Sequence, residues 1–419
     1  MHPNALLELA TELLHRVLRF DSPADGVVSD FFRQNRALGS RERHTLAETT
    51  YKVLRHRALY QHLAQSGKGE MERRLAILGW EGNEGFLRAA LSEQEQQWLE
   101  KVKQVDVNAL PEKLRHNLPE WLAAPLHASL GEEFWPLVAS LNEPAALDLR
   151  VNTFKAKRED VQAALAEARI DAAPTPYSPW GLRIQGKPAL NKLDVFTQGE
   201  VEVQDEGSQL LALLTDAKRG EMVADFCAGA GGKTLALGAA MRNTGRLYAF
   251  DTSGHRLAAL RPRLARSGLS NVYPVQIAHE RDDRIKRLAG KLDRVLVDAP
   301  CSGLGTLRRN PDMKWRQSPQ ALAELKEKQA AILDSAARLV KPGGRLVYAT
   351  CSLLEDENEA IARAFGEAHA RDFQPVPVAD ALEKAHVGAP ETLVRDEFLR
   401  LWPHRHGTDG FFAAVWERR

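Results

Sequence analysis

Five short, almost uninterrupted apolar runs alternate with amphipathic segments in the second half of this chain. The runs are EMVADF (221–226), RLYAF (246–250), NVYPVQI (271–277), DRVLVDA (293–299) and GRLVYAT (344–350). Such runs are typical of parallel strands, which are buried on both faces. Leu257, Leu260 and Leu264, between two of the runs, recur at helical spacing. The alternation predicts a doubly wound, mainly parallel α/β sheet over 201–419, with ligands at the carboxyl ends of its strands.

The first 200 residues show a different pattern of apolar residues. Apolar residues at helical spacing and the scarcity of strand-like runs predict an all-helical domain over 1–140. A strand-like LDLRVN, a helical REDVQAALAEARI and two further strand-like segments, GLRIQG and DVFTQGEVEVQ, follow. They predict a small α+β module over 145–200.

Composition excludes several classes of protein. The 419 residues are 44% hydrophobic and 27% charged, as in ordinary globular proteins. No apolar run has the length of a membrane span, and the N-terminal stretch lacks the pattern of a secretory signal. Three cysteines without paired spacing predict neither a disulfide framework nor a metal site. We therefore expect a cytoplasmic protein, monomeric and without a membrane or metal partner.

Positive charge is concentrated in one stretch, although the formal net charge is only +1. Residues 254–316 contain fourteen Lys or Arg against six Asp or Glu. Such a concentration fits a polyanion held at one place, and it equally fits a solvated helical surface.

A glycine-rich turn follows the first predicted strand of the sheet. The sequence DFCAGAGGKT (225–234) places backbone N–H groups where a strand gives way to a helix, although turns of this kind are common. Asp251 ends the second strand, where a carboxylate can accept hydrogen bonds from both hydroxyls of a ribose, although a helix N-cap is an equally ordinary role. Together the turn and the acid predict a nucleoside cofactor.

Two cysteines occupy equivalent places at the ends of neighbouring strands. Cys301 follows Asp298 in DAPCSG, and Cys351 lies in ATCS at the end of the next predicted strand. An isolated cysteine is usually a small buried apolar residue. Adjacent strand ends would nevertheless bring both thiols to one rim, where a thiolate can act as a nucleophile.

The motifs together resemble a known family. DFCAGAGGKT, FDTSGHR, DAPCSGLGTLRRNPDMKW, ATCSLLEDENE and HRHGTDGFF are similar to segments of the RsmB/NOP (NSUN-like) RNA cytosine-C5 methyltransferases, over about 203–416. LDLRVNTFK resembles the small RRM-like module that precedes the catalytic domain in that family, and the helical start resembles the NusB-like RNA-binding domain of the RsmB branch. The resemblance implies a class I Rossmann-like methyltransferase that uses S-adenosylmethionine on RNA, with 16S ribosomal RNA favoured.

Roles for individual residues follow from the resemblance alone. It implies that Cys351 is the nucleophile that adds to C6 of cytosine, that Cys301 assists product release and that Asp298 holds and protonates the base. It implies RNA contacts for Arg308 and Lys314. The implied cofactor residues are Cys227, Ala228, Gly229, Ala230, Gly231, Gly232, Lys233, Asp251, Arg256, His279 and Asp298.

One position departs from the family, and three other functions compete. Where the family carries an aspartate beside the adenine, this chain has His279, with Asp282 and Asp283 further on. A DNA cytosine methyltransferase would place its nucleophile in the Pro-Cys loop and needs no Cys351. A non-catalytic RNA-binding assembly factor would be expected to lack Cys301, Cys351 or Asp298. A transfer RNA cytosine methyltransferase stays open as the alternative.

Overall fold

The computed structural model describes residues 1–186 and 188–419, which form two compact units. The first unit contains Met1–Pro144 together with Thr306–Pro319, and the second contains Ala145–Gly305 together with Gln320–Arg419. We predicted 201–419 as one continuous domain, but the segment 306–319 groups with the helical unit. The reason is local: the Trp315 indole N–H donates to the Leu54 carbonyl (2.9 Å) in that unit.

The first unit is helical, as the apolar spacing predicts. Leu7, Leu13 and Leu14 are fully buried, so one side of the first helix supplies the centre of its core. The helices are α1 (Pro3–Val17), α2 (Ala24–Gln34), α3 (Ser40–Arg55), α4 (Arg57–Ala64), α5 (Met71–Leu78), α6 (Glu84–Ala90), α7 (Glu93–Lys103), α8 (Glu112–Arg115), α9 (Glu120–Leu130) and α10 (Phe134–Leu141).

A small antiparallel sheet begins the second unit. Its strand order is β2-β3-β1-β4. Its elements are β1 (Leu147–Val151), α11 (Arg158–Glu167), β2 (Ala172–Pro174), β3 (Gly181–Ile184), α12 (Asp194–Thr197) and β4 (Val201–Val203). The strand that we predicted across DVFTQGEVEVQ was half wrong: DVFT forms α12, because an aspartate in the first turn suits a helix start. Only Val201–Val203 pairs with β1, so the module extends past residue 200.

The large sheet confirms the predicted α/β architecture. Strand order is β11-β12-β13-β9-β8-β5-β6-β7, and β10 pairs with β13. The elements are α13 (Glu206–Leu214), β5 (Met222–Asp225), α14 (Gly232–Ala240), β6 (Arg246–Asp251), α15 (Gly254–Ser267), β7 (Val272–Gln276), α16 (Asp283–Lys286), β8 (Leu292–Asp298), α17 (Met313–Arg316, in the first unit), α18 (Pro319–Ala337), β9 (Val340–Thr350), α19 (Glu359–Ala368), β10 (Phe373–Pro375), α20 (Val378–Lys384), β11 (Val394–Arg395), β12 (Phe398–Leu401), α21 (Pro403–His406) and β13 (Phe411–Arg418).

All five predicted strands form the parallel part, β9-β8-β5-β6-β7. Helices pack on both of its faces: Leu235 and Leu260 belong to the core on one face, and Ile332 and Ala336 belong to the core on the other. The antiparallel extension β10–β13 was not predicted. Among the described residues, no helix has the length and apolar character needed to cross a bilayer.

Strand register brings the candidate residues to one edge of this sheet. Asp298, the last residue of β8, pairs with Ala349 of β9, two residues before Cys351. On the other side of β8, Leu296 pairs with Asp225 at the end of β5, and β6 ends beside it at Asp251. The carboxyl ends of the four central strands therefore carry the acids and both thiols.

Candidate active site

The two predicted thiols meet. Cys301 Sγ lies 3.4 Å from Cys351 Sγ, and both residues are partly exposed. Each lies just past the end of a parallel strand, and the Gly305 N–H donates to the Cys351 carbonyl (2.8 Å), which ties one loop to the other. Both cysteines are free thiols. The site thus offers two sulfurs at van der Waals distance on one rim.

The surroundings of Cys301 disfavour its ionised form. The hydrogen bond with Cys351, then burial, raises the pKa of the Cys301 thiol well above its usual value. A thiol with a raised pKa stays protonated at neutral pH and is a poor nucleophile. Cys301 therefore suits proton transfer better than attack on a carbon atom.

Asp298 has a cationic partner that the sequence did not predict. Lys233 Nζ lies 2.7 Å from Asp298 Oδ2, and their side chains are only 12% and 28% exposed. Burial opposes the ammonium form of Lys233, but the Asp298 carboxylate outweighs burial and raises the pKa of the lysine. The pair lies at the same strand ends as the thiols. There a carboxylate and an ammonium can exchange a proton with a nitrogen of a bound heterocyclic ring.

The glycine-rich turn has the backbone that its sequence predicts. Gly229 and Gly231 have φ of 55° and 84°, in the left-handed region. A Cβ on Gly231 would lie 2.1 Å from Leu260 Cδ1, so a side chain there would force the buried Leu260 side chain to move. The turn ends at the start of α14, and the backbone of Gly232 and Lys233 begins that helix.

Asp251 closes the other side of this turn. Its Oδ2 accepts the Gly229 N–H (2.8 Å) and its Oδ1 accepts the Ser253 N–H (2.7 Å). The N-cap of α15 is Ser253, whose hydroxyl accepts from the Arg256 N–H, so capping is not the main role of Asp251. Each carboxylate oxygen keeps a second lone pair, which fits a diol.

Sequence reasoning missed Asp225, the acid at the end of β5. It is fully buried, its Oδ2 accepts the Thr234 hydroxyl (2.7 Å), and its Oδ1 has no hydrogen-bond partner among the residues that the structure describes. Burial raises the pKa of Asp225 to about 7. Cys227, two residues on, also has a pKa raised well above the usual value by burial. The only signal for Asp225 was its position immediately before the turn.

The region after β7, where the adenine contact is expected, is held by local hydrogen bonds. His279 is exposed, and its Nδ1 accepts from the Arg281 N–H (3.1 Å). Asp282 caps α16, accepting the Ala278 and Arg284 N–H groups, each at 2.9 Å. Arg256 is exposed on α15.

The two expected RNA contacts lie in the first unit. Lys314 is 2% exposed and its Nζ donates to the Arg55 carbonyl (2.8 Å), while burial lowers its pKa to about 7. The Lys314 ammonium thus makes its hydrogen bond inside the unit, and the RNA contact of Lys314 stays a prediction. Arg308 is partly exposed, with one guanidinium N–H donating to the Pro144 carbonyl (3.2 Å).

Part of the basic stretch is also occupied by the fold. Arg263 and Arg266 of α15 both pair with Glu202 of β4, at 3.1 and 2.5 Å, and Glu202 is 3% exposed. Arg263 also donates to the Ala230 carbonyl (2.7 Å) in the glycine turn. These arginines link the small sheet to the turn, whereas Arg261 on the same helix is exposed.

Comparison with known families gives two matches. Residues 212–417 match the model of the 16S rRNA methyltransferase RsmB/F family. Residues 118–191 match that of the ferredoxin-like domain of RsmF/B-like methyltransferases. Together the two models cover the large sheet and most of the small one.

Individual proteins agree with these matches. A probable ribosomal RNA small subunit methyltransferase B of Synechocystis is 36% identical over 302 residues, which are 72% of this chain and 66% of that protein. The chain thus aligns with just under two thirds of that relative. The solved structure of PH0851 has a TM-score of 0.82 at 26% identity and covers 100% of this chain and 99% of its own. A methyltransferase homologue from Pyrococcus horikoshii has a TM-score of 0.63 at 28% identity, covering 75% of this chain and 100% of its own.

Proposed function

The chain belongs to the RsmB/F family of methyltransferases, and from this premise we propose that it methylates carbon 5 of a cytosine in RNA, with S-adenosylmethionine as cofactor. The observation that carries the proposal is the 3.4 Å contact between Cys301 and Cys351 beside the Lys233–Asp298 pair. Carbon 5 of cytosine is a weak nucleophile, and a site that adds a sulfur to carbon 6 overcomes this weakness.

The nucleophile in this proposal is Cys351. Its thiol gives up a proton to solvent, and the sulfur bonds to C6 while the C5=C6 electron pair moves onto C5. Asp298 passes a proton from the Lys233 ammonium, 2.7 Å away, to N3 of the ring and so stabilises the developing negative charge. The cofactor, when bound, supplies an electrophilic methyl group at C5.

Cys301 completes the cycle. Its high pKa rests first on the hydrogen bond with Cys351, which is lost once that sulfur is bonded to C6. Cys301 then releases its own proton and takes the proton from C5. The electron pair of the C5–H bond reforms C5=C6 as the bond between C6 and the Cys351 sulfur breaks. N3 then returns its proton to the Lys233–Asp298 pair, and the Cys351 sulfur regains a proton from solvent, which restores the free enzyme.

The proposed cofactor-binding residues lie at the same edge of the sheet. Asp251 would hold the ribose hydroxyls, and the turn from Cys227 to Lys233 would approach the cofactor with its backbone. The adenine would lie against the segment at His279, with Asp282 kept in place by its two backbone hydrogen bonds. Asp298 would contact both cofactor and base.

The substrate that this chemistry requires is an unstacked cytosine, because neither sulfur can reach a base inside a helix. The family name favours 16S ribosomal RNA, and transfer RNA is the alternative. Arg308 is proposed to meet the RNA, and we propose that the protein works as a cytoplasmic monomer.

Methylation of defined RNAs tests this function. Purified protein with methyl-labelled S-adenosylmethionine would be incubated separately with 16S ribosomal RNA, total transfer RNA and single-stranded DNA. We expect label in 5-methylcytidine from ribosomal RNA alone, and none with the Cys351→Ala variant. Label in transfer RNA instead would identify transfer RNA as the substrate. Label in a product other than 5-methylcytidine would overturn the proposal.

A further inference from the structure

A buried carboxylate lies beneath the two thiols. Glu357, in the turn before α19, is 0% exposed and is not one of the acids at the strand ends. Within the described part of the chain, no cation pairs with it. A carboxylate without a counter-ion in such a place is costly unless several hydrogen bonds satisfy it. The hydrogen-bond donors around Glu357 therefore show which groups the carboxylate holds in place.

Four donors converge on this carboxylate. Glu357 Oε1 accepts the Ser302 N–H (2.8 Å) and the Gln329 side-chain amide (3.0 Å). Glu357 Oε2 accepts the hydroxyls of Ser302 (2.5 Å) and Ser352. The two oxygens thus each accept two hydrogen bonds, which is the full capacity of a carboxylate.

The donors belong to the two loops that carry the sulfurs. Ser302 follows Cys301 directly, Ser352 follows Cys351 directly, and their hydroxyls lie 3.2 Å apart. Gln329 of α18 donates also to the Pro300 carbonyl (3.0 Å), so it supports the residue before Cys301. One side chain is therefore the common anchor of both cysteine loops.

The backbone of Glu357 and its neighbour Asn358 are also held by hydrogen bonds. The Tyr348 hydroxyl of β9 donates to the Glu357 carbonyl (2.6 Å). The neighbouring Asn358 accepts the Thr350 hydroxyl and donates to the Ser352 carbonyl (2.9 Å), bracketing Cys351 from both sides. The carboxylate thus cannot shift without moving the strand that leads to Cys351.

We propose that Glu357 is a positioning residue that holds the sulfurs of Cys301 and Cys351 in contact, so that proton transfer by one can follow attack by the other. Its importance for methylation rests on the proposed function; its hold on the sulfurs does not. Two catalytic groups kept at fixed separation react as if at very high local concentration, and a small displacement removes much of that advantage.

Thiol–disulfide exchange measures the sulfur separation without RNA or cofactor. In a glutathione buffer, two protein thiols react with oxidised glutathione to give one disulfide and two reduced glutathione molecules. The equilibrium constant reports how closely the protein holds its two sulfurs. Mass spectrometry of peptides distinguishes the Cys301–Cys351 disulfide from any product of Cys227.

Three variants make the experiment decisive. Glu357→Ala should lower the equilibrium constant by about tenfold or more, because it leaves buried donors unsatisfied. Glu357→Gln has the same shape, and the serine hydroxyls can turn to accept from its amide, so it should restore most of the native value. Glu355→Gln makes the same exchange at an exposed position two residues away and should have no effect.

A properly folded Glu357→Ala protein with the native constant would overturn the proposal, as would a native protein that forms no Cys301–Cys351 disulfide. If Glu357→Ala fails to fold, the Ser302→Ala/Ser352→Ala double variant decides, because it removes two donors and keeps the carboxylate. Its constant should fall, and an unchanged constant would overturn the proposal. In the same variants, the kcat of methylation should fall while KM stays unchanged. If the native protein methylates no RNA but Glu357→Ala still lowers the disulfide equilibrium constant, this inference stands and the proposed function is wrong.

Discussion

Cys301 and Cys351 lie fifty residues apart in the chain, and their sulfurs are 3.4 Å apart in the fold. The cause is the pairing of β8 with β9, because parallel neighbours end at the same edge and each is followed by a cysteine within three residues. The hydrogen bond between the two thiols raises the pKa of Cys301 well above its usual value. This geometry supports the proposal that Cys351 is the nucleophile and Cys301 the proton carrier.

Replacing Asp251 by alanine should weaken cofactor binding by about tenfold or more, because both ribose hydroxyls lose a charged acceptor. RNA affinity should stay unchanged. Calorimetric titration with S-adenosylmethionine and an RNA-binding assay measure the two quantities. Asp283→Ala, at an exposed aspartate paired with Lys286, is the matched control. Equal losses of both affinities in Asp251→Ala would show a folding defect and contradict the assignment.

Replacing Lys233 by methionine should lower kcat by about a hundredfold, because Asp298 loses the ammonium that lies 2.7 Å away. Arginine at this position keeps the charge and should recover part of the loss. Single-turnover methylation at saturating RNA and cofactor measures the effect. A native rate for Lys233→Met would show that the ion pair has no part in the reaction.

Asp225 should make the stability of the protein depend on pH. Its folded pKa of about 7 exceeds the ordinary value of 3.8, so the folded state binds more protons. The contribution of this group to stability therefore falls as the pH rises from about 4 to about 7. Asp225→Asn keeps an acceptor for Thr234 and cannot ionise. The Tm of this variant relative to the native protein should therefore be higher at pH 8 than at pH 5.

The control for that comparison is Asp293→Asn. Although burial opposes ionisation, hydrogen bonds from Lys341 and the Met222 N–H lower the pKa of Asp293, so it is ionised at both pH values. Its substitution should lower Tm by the same amount at pH 5 and pH 8. A relative Tm of Asp225→Asn that does not change with pH would contradict the raised pKa.

RNA binding should depend on the exposed arginines near the carboxyl ends of the strands. We expect Arg256→Glu/Arg261→Glu to weaken RNA affinity and to reduce the slope of log affinity against log salt by about two. Arg287→Glu/Lys291→Glu makes the same change of charge before β8, at the opposite strand ends. Equal effects of the two double variants would mean that RNA is held by net charge rather than at this edge.

The parallel sheet was predictable from the sequence because buried parallel strands are apolar throughout and turn residues follow each of them. The five runs therefore form the predicted strands, and the glycine turn and Asp251 lie at strand ends as predicted. The antiparallel strands β10–β13 escaped prediction, since two of them have only two or three residues. DVFT was misassigned because four residues carry too little periodicity to separate a helix from a strand.

Partners of charged groups were the part of the site that the sequence did not reveal. Lys233 was predicted to meet the cofactor, but nothing in the chain indicated that it would pair with Asp298, 65 residues away. Lys314 resembled an RNA-binding lysine, yet it donates to the carbonyl of Arg55, a contact across 259 residues. Glu357 lies in the segment ATCSLLEDENE, but nothing in that segment indicated that the donors to its carboxylate would come from two loops.

The covalent adduct between protein and RNA tests the division of labour between the two thiols most directly. Cys301→Ala, Cys351→Ala and native protein would each be incubated with cytosine-containing RNA and S-adenosylmethionine and analysed on a denaturing gel. The account predicts that Cys301→Ala accumulates an adduct through Cys351, that Cys351→Ala gives neither adduct nor methylated RNA, and that native protein turns over. A Cys351→Ala enzyme that still methylates RNA, or an adduct that maps to Cys301, would contradict it.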